Sequence, residues 1–384
     1  MDFHDSPEQA TWRNEVRSFI ESEQPERDEA PLMMERGRNP RLAAWREKIS
    51  KKGWVAPAWP KEYGGAGLGV MEQFILNEEF AEARVPNVGG MGTSMIGPTI
   101  IINGKEEQKQ EHLGAILRGE VQWCQGYSEP GSGSDLASLQ TRAVRDGDDF
   151  VINGQKIWTS GAHTADWMFM LARTDPDAPK HRGITYFLMD MKSPGVTVRP
   201  LINMGNMHNF NEVFFEDVRV PARNVLGEID RGWYIGTTTL DFERSSIGNS
   251  VGQRQTLEYY LRYIKQNNAD VSGTVKGELA DRWIEAMTAK NLSYRVITIQ
   301  AEGRVPNHEA SIAKMFNTEL SQRIARTAMK VLGTAGQLTD AEQAPMKGRV
   351  AASYLATVSS TIAGGTSEIQ RNIVATRGLG LPRA

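Results

Sequence analysis

In "LDFERSSIGNSV", Leu240, Glu243, Ile247 and Val251 recur at helical spacing. A helix through them would set the Glu243 carboxylate in an apolar stripe. A carboxylate in such a place is destabilising unless partnered, and its pKa tends to rise. That is the tuning a base needs to take a proton from carbon. The alternative is a partly exposed glutamate, or one bound by an arginine in helix packing. Arg244 lies at the edge of the stripe and, as an adjacent residue, does not face Glu243 directly.

Two other stretches are rich in hydrogen-bond donors. "YSEPGSGSD", Tyr127 to Asp135, offers backbone N–H groups and serine hydroxyls close together. It lacks the Gly-Lys-[Ser/Thr] ending of a P-loop and the spacing of a dinucleotide fingerprint, so a plain surface loop is the competing reading. "TIAGGTSEIQRNIVATRGLGLP", Thr361 to Pro382, places two glycines before a short helix that Thr366 or Ser367 would cap, with Glu368 in its first turn. Ile369, Ile373 and Val374 give that helix an apolar side, and Gly378 and Pro382 stop it. Such a turn makes a patch of N–H donors suited to a polar ligand group, or simply a cap.

These residues need elements to hold them, and the chain shows three zones. Residues 1–120 read as helical. Ser6 and Pro7 form a start signal, and Trp12, Val16, Phe19 and Ile20 follow at helical spacing. "WVAPAWPKEYGGAGLG" reads as a loop, between helices and ahead of "GVMEQFILNEEFAEARV". Residues 121–228 change to a period of two, with Asn153-Gly154 predicting a hairpin turn. "ADWMFMLART", "RGITYFLMDM", "GVTVRPL" and "NEVFFEDVRV" then predict a β-barrel or sandwich. Residues 229–384 return to long helices, the first of them running through Glu243. The fold class is therefore α+β.

Composition excludes several functions. The 384 residues carry a net charge of −3, which leaves no electrostatic footprint for nucleic acid. The single cysteine, Cys124, allows no intrachain disulfide, and the six histidines lack metal-site spacing, so no metal is expected. No run of 18 apolar residues occurs. With no signal-peptide core at the N-terminus and no peroxisomal address at the C-terminus, a cytoplasmic location is expected.

The quoted segments, together with "DGDDFVINGQKIWTSGAHTADWMFMLART", resemble the acyl-CoA dehydrogenase family in order and spacing over nearly the whole chain. The resemblance implies an N-terminal helical domain, a middle β domain and a C-terminal four-helix bundle. It implies FAD as cofactor, an acyl-CoA substrate, and an electron-transferring flavoprotein as acceptor. The assembly it implies is a homotetramer or an α2β2 heterotetramer. By the same resemblance Gln125, Tyr127, Ser128, Ser134, Trp158, Thr159, Ser160, Thr366 and Glu368 match flavin-contacting positions, and Ser134 also lies on the path of the thioester.

Many family members carry the base immediately before the Gly-Thr-Ser turn, where this chain has Gly364. A subset similar to isovaleryl-CoA, some long-chain and steroid side-chain dehydrogenases carries it instead within a motif matched by "LDFERS". The resemblance thus implies Glu243 as the base, with Asp241 and Arg244 near the acyl-CoA. Arg262 matches an arginine that holds FAD across a subunit interface, but Lys265 replaces the aromatic residue that usually follows, and Lys330 and Thr334 depart from a glycine-rich motif. Those departures resemble heterotetrameric steroid-type members. They leave open a partner subunit with little activity alone; a flavin oxidase or monooxygenase on the same fold is a third reading.

Overall fold

The computed structural model describes residues 4–25, 40–86, 88–244 and 249–382, without the side chains of 40–41, 240–244 and 249. Five helices come first: α1 (Pro7–Glu23), α2 (Pro40–Ser50), α3 (Val70–Ala83), α4 (Gly97–Asn103) and α5 (Glu106–Arg118). Seven strands follow: β1 (Trp123–Gly126), β2 (Arg142–Asp146), β3 (Asp149–Lys156), β4 (Trp167–Arg173), β5 (Ile184–Asp190), β6 (Val196–Leu201) and β7 (Phe210–Pro221). Helices then resume as α6 (Gly232–Arg244), α7 (Asn249–Gln266), α8 (Gly273–Ala301), α9 (His308–Leu332), α10 (Arg349–Ser360) and α11 (Ser367–Ile373). This is the expected α+β order. Residues 245–248, on which the continuity of the first long C-terminal helix depends, lie outside the described residues. Among the described residues, no helix is long and apolar enough to cross a membrane. Among the same residues, no cluster of His, Cys, Asp and Glu could hold a metal ion.

The chain divides into two compact units, one of Met1–Ile20, Gly69–Val85 and Arg244–Ala384, the other of Glu21–Leu68 and Pro86–Glu243. In the first, Ser6 starts α1 as expected: its hydroxyl accepts from Gln9 N at 3.3 Å, and Gln9 Oε1 accepts from Ser6 N at 2.9 Å. Helices α7 to α10 pack around Leu257, Tyr260, Leu279, Leu320, Ile324 and Val350. Ala286, Ala289 and Ala328 let the backbones come close.

The second unit is built on one seven-stranded sheet of order β1-β4-β2-β3-β7-β6, with β5 paired to β4. Along β4, Phe169 and Leu171 enter one cluster with Ile96, Ile100, Leu113, Ile116 and Ile235. Met168, Met170 and Ala172 enter another with Phe150, Ile152, Val213, Phe215 and Val218. Burying each large side chain contributes about 1.5–3 kcal/mol. Cys124 belongs to the second cluster and is fully buried, and burial pushes its thiol pKa well up.

The expected hairpin turn at Asn153-Gly154 is not one. Both residues lie inside β3, and the turn is at Gly147-Asp148, between β2 and β3 in the register Asp146↔Asp149. Asn153-Gly154 is instead where the β3–β7 register shifts. Gly154 has a φ of +142°, and a Cβ there would lie 2.8 Å from Thr141 Cα. Asn153 Nδ2 donates to Asp217 Oδ1 at 3.0 Å, and Asp217 N to Asn153 Oδ1 at 2.9 Å. A glycine inside a strand pattern marks a bulge and a close approach as readily as a turn.

Two acids on α3 are buried in the first unit. Glu78 accepts from Arg13 at 2.7 Å and pairs with Lys290 at 2.8 Å, and Glu79 accepts from Arg13 at 2.6 Å and Arg17 at 2.7 Å. Burial raises the Glu78 carboxyl, but the hydrogen bonds from Lys290 and Arg13 outweigh it and hold the group below its ordinary value. A depressed folded-state pKa contributes stability above the unfolded-state value, and that contribution is lost as pH falls through the folded one. Glu78→Gln is expected to lower stability by about 2–3 kcal/mol at pH 7. The gap from wild type should narrow as pH falls below about 4.3. Thermal melts of both proteins from pH 7 to pH 3 check this, and a gap of constant size would contradict it.

Candidate functional site

In the second unit the donor-rich loop grows directly out of β1. That strand runs parallel to β4, with Gln125 opposite Phe169 and Gly126 opposite Met170. By alternation Gln125 shares a face with Trp123 and Tyr127, which both join the cluster around Phe169. The Tyr127 ring lies edge-on to Phe169 and Tyr186 at 6.0 and 6.3 Å. Ser128 is half-buried and Ser134 exposed. Asp135, at the end of the loop, pairs with Lys180 at 2.6 Å.

The loop is tied to the end of β3 by a buried ion pair. Lys156 Nζ donates to Glu129 Oε1 at 2.7 Å and to Tyr127 O at 3.2 Å. Glu129 also accepts from Gln140 N at 2.6 Å and Thr141 N at 3.0 Å. Burial raises the Glu129 carboxyl, but the Lys156 charge and these donors prevail and hold it below the usual carboxylate range. One residue on, Ile157 N donates to Ser128 O at 2.9 Å.

Trp158, Thr159 and Ser160 follow immediately. Trp158 has a φ of +60°, rare for a bulky residue. The chain leaves the sheet there and the indole is 56% exposed, edge-on to Phe210 at 6.0 Å. Thr159 is held by the fully buried Asn211: Thr159 N donates to Asn211 O, and Asn211 Nδ2 to Thr159 O, each at 3.0 Å. Asn211 also meets His163 Nδ1 at 3.1 Å and His208 Nε2 at 2.8 Å, and the two imidazoles stack at 4.0 Å. Burial, then the neighbouring His208, lower the His163 pKa, which suits its Nδ1 as a neutral acceptor.

Besides Trp123 Nε1 within the apolar cluster, Gln125 Nε2 and Thr159 Oγ1 are among the shielded side-chain atoms that lack a protein partner. Buried polar atoms are almost always satisfied, so each calls for a group outside the chain. A ligand with an acceptor for the Gln125 amide and a polar edge for the Thr159 hydroxyl fits both.

Helix α6 lies on the same sheet. Thr239, fully buried, is 3.3 Å from Tyr186 Oη and 3.0 Å from Thr99 Oγ1. Glu243 comes one helical turn after Thr239, at the end of this element. The side chains of Asp241, Glu243 and Arg244 lie outside the described residues.

In the first unit Thr366 is the cap of α11, its hydroxyl accepting from Ile369 N at 3.2 Å. The helix's own N–H groups, then the Thr366 hydroxyl, hold exposed Glu368 below the ordinary carboxylate range. Gly364 and Gly365 have φ of +64° and +86°. Gln370 Nε2 donates to their carbonyls at 3.2 and 3.3 Å, and Lys314 Nζ to Gly365 O at 2.7 Å. The positive φ favours glycine at 365, and a Cβ there would lie 2.6 Å from Gln370 Nε2 and displace that amide. Arg262 is exposed on α7.

The structure thus gathers Gln125, Tyr127, Ser128, Trp158, Thr159 and Ser160 at one end of the sheet. Glu129, Lys156 and Asn211, which hold them there, were not singled out in the sequence. For Lys156 a signal existed: it falls on the inward phase of β3 with Phe150 and Ile152.

Three models of the acyl-CoA dehydrogenase family match the chain: the N-terminal domain over residues 6–120, the middle domain over 124–218 and the C-terminal domain over 230–379. The chain is 38% identical over 398 residues to acyl-CoA dehydrogenase FadE26 of Mycobacterium tuberculosis, covering 99% of this chain and 98% of that protein. It superposes on the Tcur3481–Tcur3483 steroid ACAD with a TM-score of 0.86 at 34% identity, covering 100% of both chains. The ChsE4–ChsE5 complex from Mycobacterium tuberculosis gives a TM-score of 0.84 at 36% identity, again covering 100% of both. The chain belongs to the acyl-CoA dehydrogenase family, a family of flavoproteins.

Proposed function

We propose that the chain is an FAD-dependent dehydrogenase that introduces an α,β double bond into a bulky acyl-CoA thioester, with Glu243 as the base. The observation that carries this reading is the pair of unpartnered buried atoms, Gln125 Nε2 and Thr159 Oγ1, in two segments that match the family's flavin contacts. Both fit the polar edge of a flavin, and exposed Trp158 fits its flat face. Bound FAD would supply the acceptor for the hydride leaving the β-carbon, with an electron-transferring flavoprotein as the onward acceptor.

The chain's own residues supply the rest. Gln125, Tyr127, Ser128, Ser134, Trp158, Thr159 and Ser160 hold the cofactor, with Arg262, Thr366 and Glu368 as further contacts. Glu243 takes the α-proton, and Asp241 and Arg244 order the ligand or the base. A backbone N–H polarises the thioester carbonyl, lowering the pKa of the α-carbon as negative charge develops on oxygen. Gly364 has no side chain, and its place in the turn is where many relatives carry their base. We assign the freed space to a branched or polycyclic acyl group, which agrees with the steroid ACAD among the similar structures.

The working assembly we propose is an α2β2 heterotetramer in the cytoplasm. Lys265, Lys330 and Thr334 depart from the pattern that holds FAD in homomeric relatives. The N-terminal helical, middle β and C-terminal helical domains we place at 1–120, 121–228 and 229–384.

Glu243→Gln, purified with its partner chain, is expected to bind FAD and acyl-CoA but to reduce flavin at least about a hundredfold more slowly. Anaerobic bleaching of the flavin band on mixing with substrate measures this, and near-wild-type bleaching would defeat the assignment.

Gly364→Glu is expected to lower kcat/KM for a steroid acyl-CoA by about tenfold or more, through crowding and repulsion between two carboxylates. Parallel assays with straight-chain and polycyclic substrates check it. A wild-type preference for straight chains, or an unchanged variant, would refute the assignment of space to Gly364.

A further inference from the structure

We propose that the Lys156–Glu129 pair is a positioning device for the cofactor: it sets the spacing between the two loops assigned to the flavin, and through that spacing the affinity for FAD. The inference rests on the cofactor reading above.

Lys156 is fully buried and Glu129 is 8% exposed. A buried ion pair is a poor source of stability, because desolvation offsets most of the Coulomb gain, and apolar residues of like volume do as well or better. Its geometry points to another use. The ammonium grips the loop at two points, the Tyr127 carbonyl and the Glu129 carboxylate. The carboxylate is itself fixed from the far side by Gln140 N and Thr141 N. Each oxygen of Glu129 therefore has a donor, and the loop has one register relative to β3.

The two ends of this clamp adjoin the proposed contacts. Gln125, Tyr127 and Ser128 lie within four residues of Glu129, and Trp158, Thr159 and Ser160 within four of Lys156. The Ile157–Ser128 hydrogen bond closes the same gap one residue further on. A shift of the Lys156 head group therefore changes the distance between the two sets. The orphaned atoms Gln125 Nε2 and Thr159 Oγ1 stand one on each side of this clamp; the β1–β4 pairing seats the first and Asn211 the second, and the clamp sets the register of the loop between them. The pair is neutral as a whole, so it orders the loops without adding net charge beside the ligand.

The test separates positioning from stability. Lys156→Met and the double variant Lys156→Met/Glu129→Leu are purified as holoenzyme with the partner chain. Melting temperature, FAD dissociation constant and the visible bands of the bound flavin are measured. Lys156→Met leaves Glu129 buried without its cation and should lower both melting temperature and FAD affinity. The double variant removes both charges and should melt within a few degrees of wild type. It should still bind FAD about tenfold more weakly, with altered flavin bands. FAD affinity restored along with stability in the double variant would overturn the proposal, as would a double variant that cannot fold or a single variant with wild-type affinity. A wild-type complex that takes up no FAD at all would instead overturn the cofactor reading itself.

Discussion

Strand β4 must be covered on both faces, and the second unit is arranged around that constraint. Residues 168–172 are all fully buried, with side chains alternating between two clusters. No single layer satisfies such a strand. Helical residues from the α4, α5 and α6 regions cover one face, and residues of β3 and β7 cover the other. With β1 and β5 flanking it, β4 has its ladder bonds paired and its polar backbone removed from water. Because β1 is one of those flanking strands, the loop that follows it starts from a fixed edge. The placement of Gln125 and Tyr127 is thus a consequence of how β4 is buried.

Beyond the strand ends, backbone ladders stop and side chains take over. Lys156, Glu129 and Asn211 each bond backbone atoms of another segment, which is how irregular chain is held in place without a sheet. In the first unit Gln370 and Lys314 do the same for the carbonyls of Gly364 and Gly365. Both units therefore use polar side chains to hold the segments in which candidate site residues sit.

The order of elements was legible because each zone has a clean period: α1 begins at Ser6-Pro7 as its cap predicts, and β4 and β5 lie in the apolar runs that announced them. The misread turn shows the limit of local signals. Asn153-Gly154 has the sequence of a hairpin, but β7 pairs across it, and a partner some 60 residues away decides between turn and bulge. The flavin-contact candidates were legible only through family motifs, since serines and glycines in a loop have no distinctive period. Asn211 was invisible for a physical reason: its role depends on Thr159, His163 and His208 meeting it in space. The carboxylate of Glu243 was visible in the sequence as a break in an apolar stripe.

The burial of Cys124 has a practical reach. It is the chain's one cysteine, enclosed beneath the sheet, with a thiol that burial keeps protonated and out of contact with solvent. Thiolate is the form that reacts with maleimides and iodoacetamides, so the folded native chain is close to silent toward them. Cysteines introduced one per unit can therefore carry fluorophores or spin labels without first stripping the native residue. The distance between such probes would report how the two units are disposed in solution, with and without ligand.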